Sequence, residues 1–83
     1  MNRSENLENS ILRILSEIRP EFDFSKSSNF VSDGMLDSFD IVQLVASLDA
    51  EFGISIDGMD IKPVNFTSIN TISDLLSKKG IST

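Results

Sequence analysis

Residues 37–53 read DSFDIVQLVASLDAEFG and carry the clearest helical pattern in the chain. At about 100° per residue, five apolar side chains share one face of a helix over residues 38–52, as expected for a stripe that faces a core. They are Ile41, Leu44, Val45, Leu48 and Phe52. Asp37 can cap the N–H groups at the start of this helix, and Gly53 can end it. The stretch therefore predicts the central element of a helical fold.

A first helix is predicted close to the N-terminus. Five apolar residues recur there at helical spacing, with Ser4 able to act as the N-cap and Pro20 following soon after the last of them. They are Leu7, Ile11, Ile14, Leu15 and Ile18. The pattern predicts a helix over about residues 4–18.

A short helix and a last helix are predicted after the central one. Pro63 can open one short helical turn. Thr71 and Asp74 have the spacing of a weak capping box, and Gly80 can end a helix, so we expect a helix over residues 71–79.

Residues 20–37 have no regular period and predict a long loop. Such a loop is uncommon in a compact domain unless it is functional or its own apolar side chains pin it to the core. The candidates for this role are Phe22, Phe24, Phe30, Val31 and Leu36. We therefore predict an all-α fold: a small four-helix bundle, with three main helices, one short helix and a long first loop, in a single domain over residues 1–83. The expected core comprises Leu7, Ile11, Leu15, Ile18, Leu44, Val45, Leu48, Phe52, Ile54, Ile56, Phe66, Ile72, Leu75 and Leu76.

Composition excludes several classes of function. The 83 residues include no cysteine and no histidine, which removes disulfides, thiolate metal sites and catalysis by Ser-His-Asp or Cys-His groups. A net charge of −6 opposes binding to nucleic acid. Because the sequence has no long apolar run and no signal peptide, we expect a cytoplasmic protein that does not insert into membranes. We also expect it to be a monomer.

Ser38 is the most conspicuous hydroxyl group in the sequence. On the simplest interpretation it only helps to cap the central helix. Asp37 holds the better capping position, however, and a helix N-terminus also favours a phosphate monoester or diester. Without histidine, Ser38 cannot be an activated nucleophile, so another enzyme would have to install such a phosphate. We predict no catalytic residue in this chain.

A second apolar line on the central helix points away from the core stripe. Phe39, Val42 and Ala46 lie about 135° from the centre of that stripe, and they either widen the core face or form an exposed docking surface. The surrounding segment, residues 33–61, holds seven carboxylates and no lysine or arginine. Such carboxylates would steer a basic partner toward the apolar line. Their order differs from that of a calcium-binding loop, so we predict no metal site.

The stretch from Asp33 to Ile56, which reads DGMLDSFDIVQLVASLDAEFGISI, resembles the acyl carrier protein family. The similarity extends over about residues 31–76. In that family the serine of an Asp-Ser-Leu motif accepts 4′-phosphopantetheine from coenzyme A, and the corresponding serine here is Ser38. The resemblance implies that a chain without a thiol of its own holds cargo as a thioester on this arm.

The resemblance also implies partners. They would be a phosphopantetheinyl transferase and either an acyl- or aminoacyl-adenylating ligase or acyl transferase and synthase enzymes. The candidate contact residues are Asp37, Phe39, Asp40, Val42, Ala46 and Glu51. Phe39 replaces the usual leucine, and D-alanine carrier proteins, which serve cell-envelope polymer modification, share a Leu-Asp-Ser-Phe stretch. The cargo stays open between D-alanine and an acyl or aminoacyl group of a fatty acid, polyketide or peptide pathway. The rival interpretation is an acidic helical interaction module without a prosthetic group.

Overall fold

The computed structural model describes residues 3–81, and it describes side chains from Leu7 onward. Its three α-helices are α1 (Arg3–Ile18), α2 (Ser38–Phe52) and α3 (Ile69–Lys78). Single turns of 3₁₀-helix lie at Phe24–Lys26, Gly58–Asp60 and Pro63–Phe66. No strand occurs within residues 3–81, so the predicted all-α fold is confirmed, and the short fourth helix is the 3₁₀ turn that begins at Pro63.

The helices α1 and α2 lie where the apolar periodicity predicts them. α2 has the predicted bounds, with Asp37 as its N-cap and Gly53 as its C-cap in the left-handed region at φ 64°. The N–H of Gly53 donates to the carbonyl of Asp49, which closes the last turn. α1 begins at Arg3, and the predicted cap at Ser4 concerns a side chain outside the described residues.

The start of α3 differs from the prediction. The capping box is formed by Ser68 and Thr71, not by Thr71 and Asp74, so the helix begins at Ile69. The Thr71 N–H donates to Ser68 Oγ at 3.2 Å, and the Ser68 N–H donates to Thr71 Oγ1 at 3.1 Å. Serine caps helices better than threonine, which explains why the earlier position is used. The helix ends at Lys78, just before the predicted stop at Gly80, where φ is 88°.

One apolar core joins the three helices and the first loop. Most of the predicted core residues are buried, and the exceptions are Ile18, Phe52 and Ile54, which are half-buried. The core also includes residues outside that prediction: Ile14, Phe24, Phe30, Met35, Leu36 and Ile41. α1 packs against both α2 and α3 and therefore holds these two helices in one bundle.

The long loop is fixed by its own side chains, as predicted. Phe24, Phe30 and Leu36 are buried, and the rings of Phe24 and Phe30 meet edge to face with centroids 5.1 Å apart. The Phe30 N–H donates to the carbonyl of Thr67 at 2.6 Å, and the Phe30 carbonyl accepts the N–H of Met35 at 2.8 Å. These bonds satisfy backbone groups that the loop buries, and they fix the chain that leads into α2.

No helix in residues 3–81 combines the length and apolar character needed to cross a bilayer.

Candidate functional site

Ser38 is the first residue of α2, and its side chain is exposed. The preceding residue, Asp37, has extended backbone angles and occupies the N-cap position. The first N–H groups of an α-helix have no acceptor within the helix, and the helix dipole makes this end positive. The hydroxyl of Ser38 is therefore open to solvent at a point where a phosphate group is electrostatically favoured.

Asp37 and Asp40 form a reciprocal capping box around Ser38. The Asp40 N–H donates to Asp37 Oδ1 at 2.9 Å, and the Asp37 N–H donates to Asp40 Oδ2 at 3.1 Å. The hydrogen bond from the Asp40 N–H, together with the charge of Arg19, holds the pKa of the Asp37 carboxyl below its usual value. Asp37 is thus ionised at neutral pH, and both hydrogen bonds fix where α2 begins.

Asp40 was predicted to contact partners, and the structure corrects this prediction. Its side chain is only 7% exposed, whereas that of Asp37 is 64% exposed. Asp40 Oδ2 accepts a hydrogen bond from Nε of Arg19 at 2.9 Å. A carboxylate in a buried position requires a partner of opposite charge, and here that partner comes from the residue that follows α1. The carboxylate of Asp40 is therefore enclosed within the protein and does not present itself to a partner.

Arg19 contacts three carboxylates at this corner of the molecule. Besides Asp40, its guanidinium lies 3.3 Å from Glu21 Oε2 and 3.6 Å from Asp37 Oδ2. The hydrogen bond to Asp40, followed by that to Glu21, raises the pKa of Arg19. Arg19 therefore stays charged and connects the end of α1 to the start of α2.

Sequence reasoning does not identify Arg19 as part of the site. The contact between Arg19 and Asp40 joins residues 21 positions apart, and no local pattern predicts it. The capping box was open to prediction, because Asp37 and Asp40 have the spacing of an N-cap residue and a carboxylate at the third helical position.

The second apolar line of α2 lies at the surface. Phe39 is 70% exposed, Val42 is 61% exposed, and Ala46 is also exposed. The interpretation that these residues widen the core face is therefore wrong. They begin directly after Ser38 and leave an apolar strip on the helix that carries the hydroxyl.

The carboxylates of the acidic segment, residues 33–61, make more contacts within the protein than the sequence suggests. Each of its seven carboxylates has a contact within the protein: with Ser27 for Asp33, with Arg19 for Asp37 and Asp40, with the Ile56 N–H for Asp49, with Arg13 for Glu51, and with Lys79 for Asp57 and Asp60. The ion pair between Arg13 Nη2 and Glu51 Oε1 measures 2.8 Å. Glu51, a predicted contact residue, is thus partly used in holding α2 to α1.

A match to a family model shows which protein family the chain belongs to. Residues 8–76 match the model described as the phosphopantetheine attachment site. The chain belongs to this family. The resemblance to acyl carrier proteins is thereby confirmed, and the cofactor of the family is a covalently attached 4′-phosphopantetheine. No curated protein and no solved structure matches the chain.

The residues present fit this cofactor. The matched segment includes the start of α2, where the exposed Ser38 follows the N-cap residue Asp37 at the positive end of a 15-residue helix. Domains of this family generally carry substrates for other enzymes. The arm supplies a thiol when bound, which this cysteine-free chain does not have.

Proposed function

We propose that Ser38 is the attachment residue and that the chain is a carrier protein, holding an acyl or aminoacyl group as a thioester for a biosynthetic pathway. The observation that carries this proposal is the exposed hydroxyl of Ser38 at the N-terminus of α2, within the residues that match the family. The other hydroxyl group of α2, that of Ser47, lies in the second half of the helix and not at its N-terminus.

The attachment step requires an external enzyme. The bond between Ser38 Oγ and the phosphorus forms as the bond from that phosphorus to the adenosine 3′,5′-bisphosphate part of coenzyme A breaks. The hydroxyl proton must pass to a base, and the chain has no histidine to accept it. Asp37 is a poor base because hydrogen bonding lowers its pKa. The phosphopantetheinyl transferase would therefore supply the base.

The start of α2 suits the product of this step. A phosphodiester carries a single negative charge, which the positive end of the helix stabilises by about 0.3–1 kcal/mol at an exposed site. Asp37 limits this effect because its own charge occupies the same end. A phosphate monoester, with up to two charges, would be less favourable here than a diester.

Partners would contact the apolar strip formed by Phe39, Val42 and Ala46, with Asp37 beside it. A few side chains contribute most of the binding free energy in typical protein interfaces, aromatic residues are enriched there, and a nearby carboxylate adds orientation. The partners we propose are the transferase and either an adenylating ligase or acyl transferase and synthase enzymes. Asp40 is excluded from this surface because it is buried, and Glu51 is paired with Arg13.

The nature of the cargo depends on the loading enzyme. A D-alanine carrier for cell-envelope polymers is the alternative within the same mechanism. Incubating the modified protein with ATP and candidate adenylating ligases, one acid at a time, would identify the cargo by the added mass.

The primary experiment measures intact mass. The wild-type protein, incubated with coenzyme A, Mg²⁺ and a broad-specificity phosphopantetheinyl transferase, should gain about 340 Da, and Ser38→Ala should not. Ser47→Ala is the matched control, since Ser47 also lies on α2 but far from its N-terminus, and this variant should gain the same mass as the wild type. An unmodified wild type, or modification that persists in Ser38→Ala, would refute the proposal.

The same variants test the rival interpretation. If the chain is an interaction module without a prosthetic group, Ser38→Ala leaves its partner binding unchanged and costs at most about 0.5–1 kcal/mol of stability. A mass gain at Ser38 rejects that interpretation directly.

A further inference from the structure

We propose that Arg19 is a positioning residue for the modification of Ser38. It acts by holding Asp40 inside the protein, which keeps the capping box closed and fixes the first turn of α2. This inference rests on the proposed attachment at Ser38. It concerns a residue 19 positions before the serine, directly after the end of α1.

Asp40 Oδ2 is the atom on which this arrangement converges. It accepts the Asp37 N–H at 3.1 Å and Nε of Arg19 at 2.9 Å. One oxygen therefore serves both the helix cap and the link to α1. The position of Arg19 is itself fixed, because its N–H donates to the Leu15 carbonyl at 2.9 Å and continues the last turn of α1.

Without Arg19, the carboxylate of Asp40 would be buried without a compensating charge. Breaking a buried charge pair by removing one partner is strongly destabilising, and the remaining ion relieves this by moving to water. Moving Asp40 outward would break its hydrogen bond to the Asp37 N–H. The first turn of α2 would then open, and Ser38 would occupy its helical position in only part of the population.

A transferase that recognises the closed turn would respond with a specific kinetic change. The apparent Michaelis constant rises in inverse proportion to the fraction of the substrate protein in the closed state, while a saturating concentration of that protein still fills the enzyme with the closed form and restores the turnover number. Arg19→Ala should therefore raise KM for the apo protein about tenfold and leave kcat within about twofold.

Arg13 provides a matched control. It also extends from α1 to α2, where it pairs with Glu51 at 2.8 Å, but Glu51 lies in the last turn of α2. Arg13→Ala removes an ion pair between the same two helices at the end away from Ser38. It should leave both KM and kcat for modification within about twofold of the wild type.

The experiment measures initial rates of modification with coenzyme A, Mg²⁺ and a broad-specificity transferase, at temperatures where circular dichroism shows every variant to be folded. Arg19→Lys should be intermediate, since an ammonium group cannot reproduce the contacts of the guanidinium fork with several carboxylates. Amide hydrogen exchange should accelerate in Arg19→Ala at Asp40 and Ile41, whose N–H groups donate to Asp37. Equal KM values for Arg19→Ala and Arg13→Ala would overturn the proposal.

A second substitution keeps the test decisive if Arg19→Ala does not fold. Asp40→Asn places a neutral amide in the buried position, which needs no cation, and its oxygen can still accept the Asp37 N–H. In this background, Arg19→Ala should change KM less than about twofold, because the charge that Arg19 neutralises is absent. A tenfold rise in the same background would contradict the mechanism. Failure of the wild type to be modified would refute the attachment at Ser38 instead, so the two failures are distinguishable.

Discussion

The carboxylates of Asp37 and Asp40 each accept the backbone N–H of the other residue, at 2.9 and 3.1 Å, and Ser38 lies between them. The two acids nevertheless have different surroundings, since Asp37 is exposed and Asp40 is enclosed by Arg19. The same motif therefore supplies one acid for the surface and one for the interior. Their separate contributions can be measured.

The lowered pKa of Asp37 predicts an acid-sensitive contribution to stability. A carboxyl group whose pKa is lower in the folded state contributes stability that is fully present above its unfolded pKa, about 3.9, and is lost as pH falls through the folded value. Asp37→Asn retains an N-cap but has no charge to titrate. Its unfolding free energy should therefore fall less steeply than that of the wild type as pH is lowered below about 4.

Urea denaturation at pH values from neutral to strongly acidic would measure this difference. The other carboxyl groups titrate in both proteins, so subtracting the two curves isolates Asp37. Parallel curves across the acidic range would show that Asp37 has no net interaction in the folded state.

The exposed apolar strip predicts a separation of partner binding from stability. Phe39→Ala and Val42→Ala should each raise KM for the transferase by about fivefold to thirtyfold if the side chains are central contacts, corresponding to about 1–2 kcal/mol. Both should change the free energy of unfolding by no more than about 0.5 kcal/mol, since exposed side chains lose little packing. Kinetics and urea denaturation of the same samples test both statements.

Met59→Ala is the control for this prediction. Met59 is 75% exposed and apolar, but it lies in the 3₁₀ turn after α2. Its truncation should leave the kinetic constants unchanged. Equal effects of Met59 and Phe39 would mean that general surface hydrophobicity, and not the strip on α2, determines binding.

The packing of the long loop predicts a large loss of stability for one of its phenylalanines. Phe30 is fully buried, contacts Phe24 edge to face and donates its N–H to Thr67, whereas Phe22 is only half-buried. Phe30→Ala should cost about 3–5 kcal/mol, which is a large share of the stability of a domain this size. Phe22→Ala should cost distinctly less.

Urea midpoints for the two variants would check the order. The loop leads into the capped turn at Asp37, so Phe30→Ala should also raise hydrogen exchange at the start of α2 more than in α3. A smaller effect for Phe30→Ala than for Phe22→Ala would show that the loop is not fixed by its buried ring.

Local patterns predicted the helices because these signals lie within a few residues of one another. The stripe from Ile41 to Phe52 and the Asp37 and Gly53 caps were sufficient to place α2. The start of α3 was misplaced because Thr71 can act either as a cap or as the third residue of an earlier helix, and only the competition with Ser68 decides between them.

The charges at the site depend on tertiary contacts, and sequence spacing does not contain that information. Asp40 was expected to be an exposed contact residue, but Arg19, which follows α1, encloses it. In the same way, the acidic segment predicted an open negative surface, while Arg13 and Lys79 approach it from α1 and from the end of α3. Helix periodicity placed Phe39, Val42 and Ala46 on one line away from the core stripe, but only the packing of the fold shows that this line is exposed.

The left-handed backbone at the end of α2 predicts different outcomes for two glycines. Gly53 has φ 64°, where a side chain is strained even though a Cβ would meet no atom within 4 Å. Gly53→Ala should therefore destabilise the protein by about 1 kcal/mol. Gly58 does not have a positive φ and is equally open around its Cβ position, so Gly58→Ala should be neutral or slightly stabilising because it restricts the unfolded chain. Thermal or urea unfolding of both variants measures the contrast, and equal free energies would show that the C-cap of α2 does not require the left-handed conformation.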